Sequence, residues 1–214
     1  MKALIVDDHI LFRAGLRMLI QGIQSGLLVF EASLIDEALH LAVRHADLRL
    51  CFMDIHLADK NGLDAIGQIK LAAPDLAVIV VSAEDNYQAV INSLDAGAMA
   101  YIPKRSSPVE LSHALAKVLR GEVYLPPDIV ASQPCAQAAL PELSKRQWDV
   151  FRCLMRGLPN KLICRELDLS DNTVKSHLHA IYRAFNVNTR TRLLLAAAKM
   201  PAGSVGSTTL SALQ

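Results

Sequence analysis

The chain predicts a five-stranded, parallel, doubly wound α/β domain followed by a small all-α domain of four helices. Three observations carry this. The first half alternates short apolar, β-branched runs with segments of helical period. Four of the nine prolines cluster in residues 122–141. From Leu143 onward the period is helical. Continuous apolar strands separated by helices indicate a parallel sheet covered on both faces. A Pro-rich break between two patterned regions reads as a linker.

The strands are Ala3-Leu4-Ile5-Val6, Leu28-Val29-Phe30, Leu50-Cys51-Phe52-Met53, Val78-Ile79-Val80-Val81 and a weaker run, Ala98-Met99-Ala100-Tyr101-Ile102. Between and after them lie helical segments. In the first, Phe12, Leu16, Leu19 and Ile23 share a face; in the last, Leu111, Leu115, Val118 and Leu119 do so. Five such units in ~120 residues fit a flavodoxin-like sheet of order 2-1-3-4-5, whose site lies outside the carboxyl ends of the strands. The α/β domain is placed at residues 1–121. The linker follows at 122–141, with a short ordered piece at 127–131. The helical domain occupies 142–200, with helices near 144–155, 161–167, 171–185 and 190–199. Ser170 is the expected N-cap of the third. The uncharged Ser/Thr/Gly-rich tail, 201–214, is expected to be disordered.

Composition sets limits on function. Of 214 residues 52% are hydrophobic and 20% charged, too apolar for intrinsic disorder. The four cysteines, at 51, 135, 153 and 164, form no C-x-x-C pair, so reduced thiols of a cytoplasmic protein are expected. No secretory signal and no apolar span of about 18 residues is visible, so no membrane partner is expected. The net charge of +1 hides an asymmetry. Residues 1–139 hold 11 Lys and Arg against 16 Asp and Glu, a net of −5; residues 140–214 hold 11 against 5, a net of +6. A compact basic C-terminal domain suggests a polyanionic partner.

Three carboxylates sit just past strand ends: Asp7 and Asp8 after the first, Asp54 after the third. In a 2-1-3-4-5 sheet these strands are neighbours, so the three side chains can share one crevice. Close carboxylates repel, and a hard divalent cation such as Mg²⁺ relieves them. Ser82 ends the fourth strand and Lys104 follows the fifth. A hydroxyl and an ammonium at that rim suit the oxygens of a phosphoryl group on Asp54.

Asp7-Asp8, Asp54, Ser82 and Lys104, with Tyr101 three before the lysine, resemble the receiver domain of two-component response regulators. The run from Val6 to Leu16, Val-Asp-Asp-His-Ile-Leu-Phe-Arg-Ala-Gly-Leu, resembles the NarL/FixJ class. The resemblance implies that Asp54 accepts phosphate from a sensor histidine kinase. Asp7, Asp8 and Asp54 would bind Mg²⁺ together with the backbone carbonyl near His56. Ser82 and Tyr101 would form the switch pair, and Lys104 would meet the phosphoryl group. The sequence departs from that pattern at Ala58, where proline is frequent, and at Arg105, which follows the lysine. The side chain of His56 is expected to face solvent.

On the helix 171–185, Val174, Leu178, Ile181 and Phe185 form a narrow apolar stripe. Lys175, Ser176, His179 and Arg183 occupy the opposite side. A short helix, a tight turn and a longer helix have helix-turn-helix proportions, with the longer helix bound for the major groove. The strings Leu143-Ser144-Lys145-Arg146-Gln147, Gly157-Leu158-Pro159-Asn160-Lys161 and Leu169 to Leu178 resemble the LuxR-type DNA-binding domain. That resemblance implies base contacts from Lys175, Ser176 and His179. Thr173, Asn160, Lys161 and His177 would hold phosphates or fix the helix. Gln147 and Asp149 stand where the family often carries Glu.

The whole reads as a DNA-binding response regulator, a non-enzymatic phosphoprotein whose phosphorylation at Asp54 switches sequence-specific DNA binding and transcription. Its expected partners are a sensor histidine kinase and double-stranded promoter DNA, with RNA polymerase as a further candidate. Binding as a homodimer is expected on DNA. Leu193, Leu194 and Leu195 are either its dimer face or core. Two alternatives stand beside it: an orphan regulator independent of phosphorylation, and a Mg²⁺-dependent phosphohydrolase. The latter lacks an acidic residue at position 56 to act as acid or base.

Overall fold

The computed structural model describes residues 1–57, 61–131 and 142–197. Ala58, linker residues 132–141 and the tail lie outside the described residues. The chain divides after Ile129 into two compact units, each treated by itself.

The first unit is built from β1 (Lys2–Val6), α1 (Ile10–Ile23), β2 (Leu28–Ala32), α2 (Ile35–Arg44), β3 (Leu48–Met53), α3 (Gly62–Ala72), β4 (Ala77–Ser82), α4 (Tyr87–Ala96), β5 (Ala100–Pro103) and α5 (Pro108–Leu119). All strand pairs are parallel, in the order β2-β1-β3-β4-β5. The inner strands are buried nearly throughout: Ala3–Val6 of β1 and Val78–Ser82 of β4 are inaccessible. Burial on both faces explains why they read as continuous apolar runs rather than alternating ones. Local chemistry starts the helices. Asn61 and Asn86 cap α3 and α4, and Ser107 with Glu110 forms a capping box on α5 behind Pro108.

One core cluster joins Ile5, Phe52, Ile79 and Ile102 of the sheet to Leu16 and Ile20 of α1 and to Leu115 and Val118 of α5. The expected face of α1 needs one correction. Ile20 is buried, whereas Ile23 is 40% exposed because it ends the helix, where the chain leaves for β2.

The first unit also runs past residue 121. Val123, Leu125 and Ile129 are buried, and the Tyr101 N–H donates to the Tyr124 carbonyl at 3.0 Å. Residues 122–129, expected as linker, are therefore a strap on the sheet edge. The reason is that β5 is an edge strand whose outward N–H seeks an acceptor. The strap ends in α6 (Pro127–Ala131).

The second unit contains α7 (Lys145–Met155), α8 (Asn160–Leu167), α9 (Asp171–Ala184) and α10 (Arg190–Ala197). Gln147 completes a capping box with Ser144, so Gln serves here as Glu would. Ser170 caps α9 by accepting from the Thr173 N–H. Asp168 stands between α8 and α9 at φ 51°, a left-handed position that Asp tolerates. Val174, Leu178 and Ile181 pack inward, and Phe185 stacks on Phe151 at 5.1 Å. Leu193, Leu194 and Leu195 are all buried, which makes them core and not an open dimer face.

Candidate functional site: an acidic pocket and a basic helix

The carboxyl ends of β1 and β3 place the acidic residues together. Val6 pairs with Met53, and the Asp54 N–H donates to the Val6 carbonyl at 2.9 Å. Asp7 and Asp54 are only 2% and 3% exposed. One oxygen each from Asp7, Asp8 and Asp54 and a ring nitrogen of His9 lie within 4.8 Å of one another. Lys104 closes the pocket: its Nζ is 2.6 Å from Asp54 Oδ2 and 2.7 Å from Asp7 Oδ2, and stands over the Phe12 ring. Burial pushes the Lys104 ammonium down, but the hydrogen bonds and charges of Asp54 and Asp7 outweigh it and hold the pKa above its ordinary 10.5. The other Asp54 oxygen accepts from the His56 N–H at 3.1 Å. The Asp54 carboxylate is thus held from two sides.

The far rim belongs to β4 and β5. Ser82 is fully buried, and its Oγ accepts from the Glu84 N–H at 3.3 Å. Tyr101 is buried, and its hydroxyl donates to the Glu84 carbonyl at 2.5 Å. The Glu84 carboxylate meets His56 Nε2 at 2.8 Å; hydrogen bonds from His56 and Asn86 hold it below the usual carboxylate range. The exposed His56 ring therefore has a partner as well as solvent. Beside it opens a cleft of about 440 Å³ lined by Ile55, Asn61, Glu84, Asn86 and Asn92.

In the second unit α9 turns Lys175, Ser176, His179 and Arg183 outward; Lys161 is exposed and Asn160 half-buried at the start of α8. Thr173 and His177 are half-buried. Thr173 is tied into the cap, its hydroxyl 2.7 Å from Ser170 Oγ. Ser176 donates back to the Asn172 carbonyl, and Lys175 pairs with Asp171 at 2.7 Å. Each residue expected to touch DNA therefore lies on one helix or at the start of the helix before it.

Both halves match known families. Residues 3–116 match the response regulator receiver domain, and residues 141–197 match the bacterial regulatory proteins of the luxR family. The chain is a DNA-binding response regulator of the NarL/LuxR family. It is 35% identical over 208 residues to the glycerol metabolism activator of Pseudomonas putida, covering 92% of this chain and 94% of that protein. It is 29% identical over 195 residues to the nitrate/nitrite response regulator protein NarL of Escherichia coli (strain K12), covering 87% and 90%. A LuxR family DNA-binding response regulator from Silicibacter pomeroyi, known by crystal structure, is 35% identical. It superposes with a TM-score of 0.52 over 60% of this chain and 98% of that one. No helix among the described residues is long and apolar enough to cross a membrane.

Receiver domains imply Mg²⁺, and the donor set of this regulator fits it. The pocket offers hard carboxylate oxygens, and Asp8 Oδ1 is buried without a hydrogen-bond partner, with the His9 Nδ1 atom 2.7 Å away.

Three neighbours of the site were not singled out by sequence. His9 bonds Asp7 through its backbone N–H at 2.8 Å. Arg13, paired with Glu31, donates to the Asp7 carbonyl at 2.5 Å. Glu84 bridges Ser82, Tyr101 and His56. His9 and Arg13 stand within the motif that carries the resemblance, but nothing in their spacing says which atom they hold.

Burial pushes the Tyr101 phenol up to about 12 from 10.0. A raised folded pKa means that the neutral phenol stabilises the receiver fully below pH 10. That contribution drains away as pH climbs through about 12. Alkaline unfolding of the receiver should start in this window and move upward in Tyr101→Phe. Identical pH profiles for the two proteins, by circular dichroism, would contradict the assignment.

Proposed function

We propose that Asp54 is the phosphoacceptor of this response regulator and that a sensor histidine kinase is its donor. The observation that carries this is the Asp54 carboxylate, buried, held by the His56 N–H and Lys104, and flanked by Asp7 and Asp8. An Asp54 oxygen attacks the phosphorus of a phosphohistidine. The P–N bond breaks and its electron pair leaves on the imidazole. Asp7, Asp8, Asp54 and the His56 carbonyl would hold Mg²⁺, whose chemistry there is to neutralise charge on the transferring phosphoryl oxygens. Lys104 leaves Asp54 Oδ2 and pairs with those oxygens, and the Ser82 hydroxyl donates to them. Tyr101, bonded to the Ser82–Glu84 turn, follows as the second switch residue.

The output is DNA binding. Lys175, Ser176 and His179 read base edges, while Asn160, Lys161, Thr173, His177 and Arg183 hold phosphates or fix the helix. We place the protein in the cytoplasm, on double-stranded promoter DNA as a homodimer and near RNA polymerase, acting as a regulator rather than an enzyme. The functional domains are the receiver, 1–121 with its strap 122–129, and the DNA-binding domain, 142–200, with the rest of the linker between them and the tail at 201–214.

The test is intact mass after incubation with acetyl phosphate and Mg²⁺, beside Asp54→Asn. One phosphoryl group should appear on the parent and none on the variant. No gain on a folded parent would sink the switch and favour an orphan regulator, leaving DNA binding intact. In binding assays Lys175→Ala should cost about 1–3 kcal/mol on the preferred sequence and relax specificity. Lys161→Ala should weaken all sequences alike and reduce the salt slope by about 1.

A further inference from the structure

The outward groups of α9 are not equally available. Lys175 Nζ pairs with Asp171 Oδ2 at 2.7 Å, and the Ser176 hydroxyl donates to the Asn172 carbonyl at 3.0 Å. His179 stands in the same stripe, exposed, with no hydrogen bond or ion pair among the described residues. Of these three, its ring alone reaches a ligand without first releasing a partner. The charged side chains one turn away on α9 are both exposed cations, Lys175 four residues before and Arg183 four after.

The helices packed on α9 are α7 and α8. Arg146 and Arg152 of α7 pair with Asp149, and Glu166 of α8 pairs with Arg156. Lys145, Lys161 and Arg165 are exposed cations. Among the described residues none of these groups bonds to His179. The second unit has one other histidine, His177. It is half-buried and two residues away, so it points to a different side of the helix.

We propose that His179 is the specificity-determining residue of this interface, reading a guanine as an imidazolium, so that recognition takes up one proton. This rests on the DNA-binding reading above and adds to it the base and the charge state. A protonated imidazole has two N–H donors and no acceptor, whereas the neutral ring has one of each. The neutral ring can turn its acceptor to the amino group of adenine or cytosine. The charged ring cannot, and guanine, with O6 and N7, has the major-groove edge that offers two acceptors and no donor. Protonation therefore sharpens the choice of base. Histidine changes charge between pH 5 and 8, and the phosphates that line the groove favour the positive form in the complex. A lysine at this position would carry its charge at any of these pH values; histidine makes the reading conditional on a proton.

The experiment is fluorescence anisotropy with the full chain, treated with acetyl phosphate and Mg²⁺, on a duplex that the parent selects from a random library at pH 6.0. Binding is measured at pH 6.0 and 8.0 at one salt concentration, with phosphate occupancy read by intact mass at each pH. The parent should bind about tenfold more tightly at pH 6.0 than at 8.0. His179→Gln should change less than about threefold, His179→Lys should bind tightly at both, and His177→Gln should keep the parent's slope. The receiver's histidines titrate alike in all four proteins, so the slope lost with His179 is the readout. Each guanine of the duplex is then replaced in turn by 7-deazaguanine, which lacks N7, and by adenine, which has an amino group in place of O6. At one position this should flatten the parent's slope. A His179→Gln slope equal to the parent's overturns the proposal, and so does a slope that disappears with His177 instead. A slope that survives replacement of every guanine overturns it too. A folded, phosphorylated parent that selects no sequence overturns the DNA-binding reading itself, and the selection step identifies that case.

Discussion

Lys104→Met should lower the stability of the receiver in metal-free buffer by about 3–5 kcal/mol, the cost of leaving buried charge unpaired. The ammonium sits between Asp54 and Asp7 at 2.6 and 2.7 Å, and its own side chain is 13% exposed. Methionine retains the stem over Phe12 and deletes only the charge. Because the folded pKa of Lys104 is raised, its contribution is complete below 10.5 and is lost as pH rises past the folded value. Neutral pH therefore measures it in full. Magnesium should restore most of the loss, since a cation in the pocket stabilises the native state by mass action. The variant should also bind Mg²⁺ more tightly than the parent, having no ammonium to compete. Adding Asp7→Asn and Asp54→Asn to Lys104→Met should return stability without metal. Urea unfolding with and without Mg²⁺ decides this. A loss below about 1 kcal/mol would mean that solvent already screens the pair.

Gly62→Ala should cost about 3 kcal/mol, the upper end for overpacking, because the obstruction is main chain and cannot rotate away. A Cβ at Gly62 would lie 2.4 Å from the Ile55 Cα and 2.6 Å from its carbonyl oxygen. The Gly62 N–H donates to that carbonyl at 3.2 Å, and His56 bridges Asn61, so the chain after β3 closes tightly here. Any shift of Ile55 moves both neighbours, Asp54 and His56. Phosphate uptake should therefore fall together with stability. Gly67→Ala, in the middle of α3 with nothing within 4 Å of its Cβ, is the control. It should stabilise by roughly 0.5–1 kcal/mol through helix propensity. Equal effects from the two substitutions, in parallel urea titrations, would refute the close-approach argument.

Much of the pocket is legible in the chain because parallel sheets expose function at a fixed place. Asp7, Asp8, Asp54, Ser82 and Lys104 all follow or end apolar runs, and the sheet order brings β1, β3, β4 and β5 to one rim. The basic helix α9 is legible because its period separates Val174, Leu178 and Ile181 from Lys175, Ser176 and His179. Glu84 is not legible. Its role depends on the conformation of a turn, which aims its carbonyl at Tyr101 and its carboxylate at His56. Leu193, Leu194 and Leu195 are ambiguous in sequence because a run of three leucines has no helical face; burial resolves it.

The strap marks the same boundary more sharply. Pro126 and Pro127 announce a break in the pattern, and from composition that break is a linker. Yet Leu125 and Ile129 are buried and Tyr124 bonds β5. By itself the sequence determined the strands, the helices, their order, the acidic rim and the basic helix, since each follows from periodicity or from position at an element's end. Only the tertiary structure decided which loop atoms meet: Lys104 between two carboxylates, Gly62 against Ile55, and Tyr101 between Glu84 and Tyr124. The contacts of Lys104 and Tyr101 join residues far apart in sequence, and that of Gly62 depends on how the chain turns after β3. Their free energy comes from burial and hydrogen bonds that exist only once the sheet has closed, so no local pattern records them.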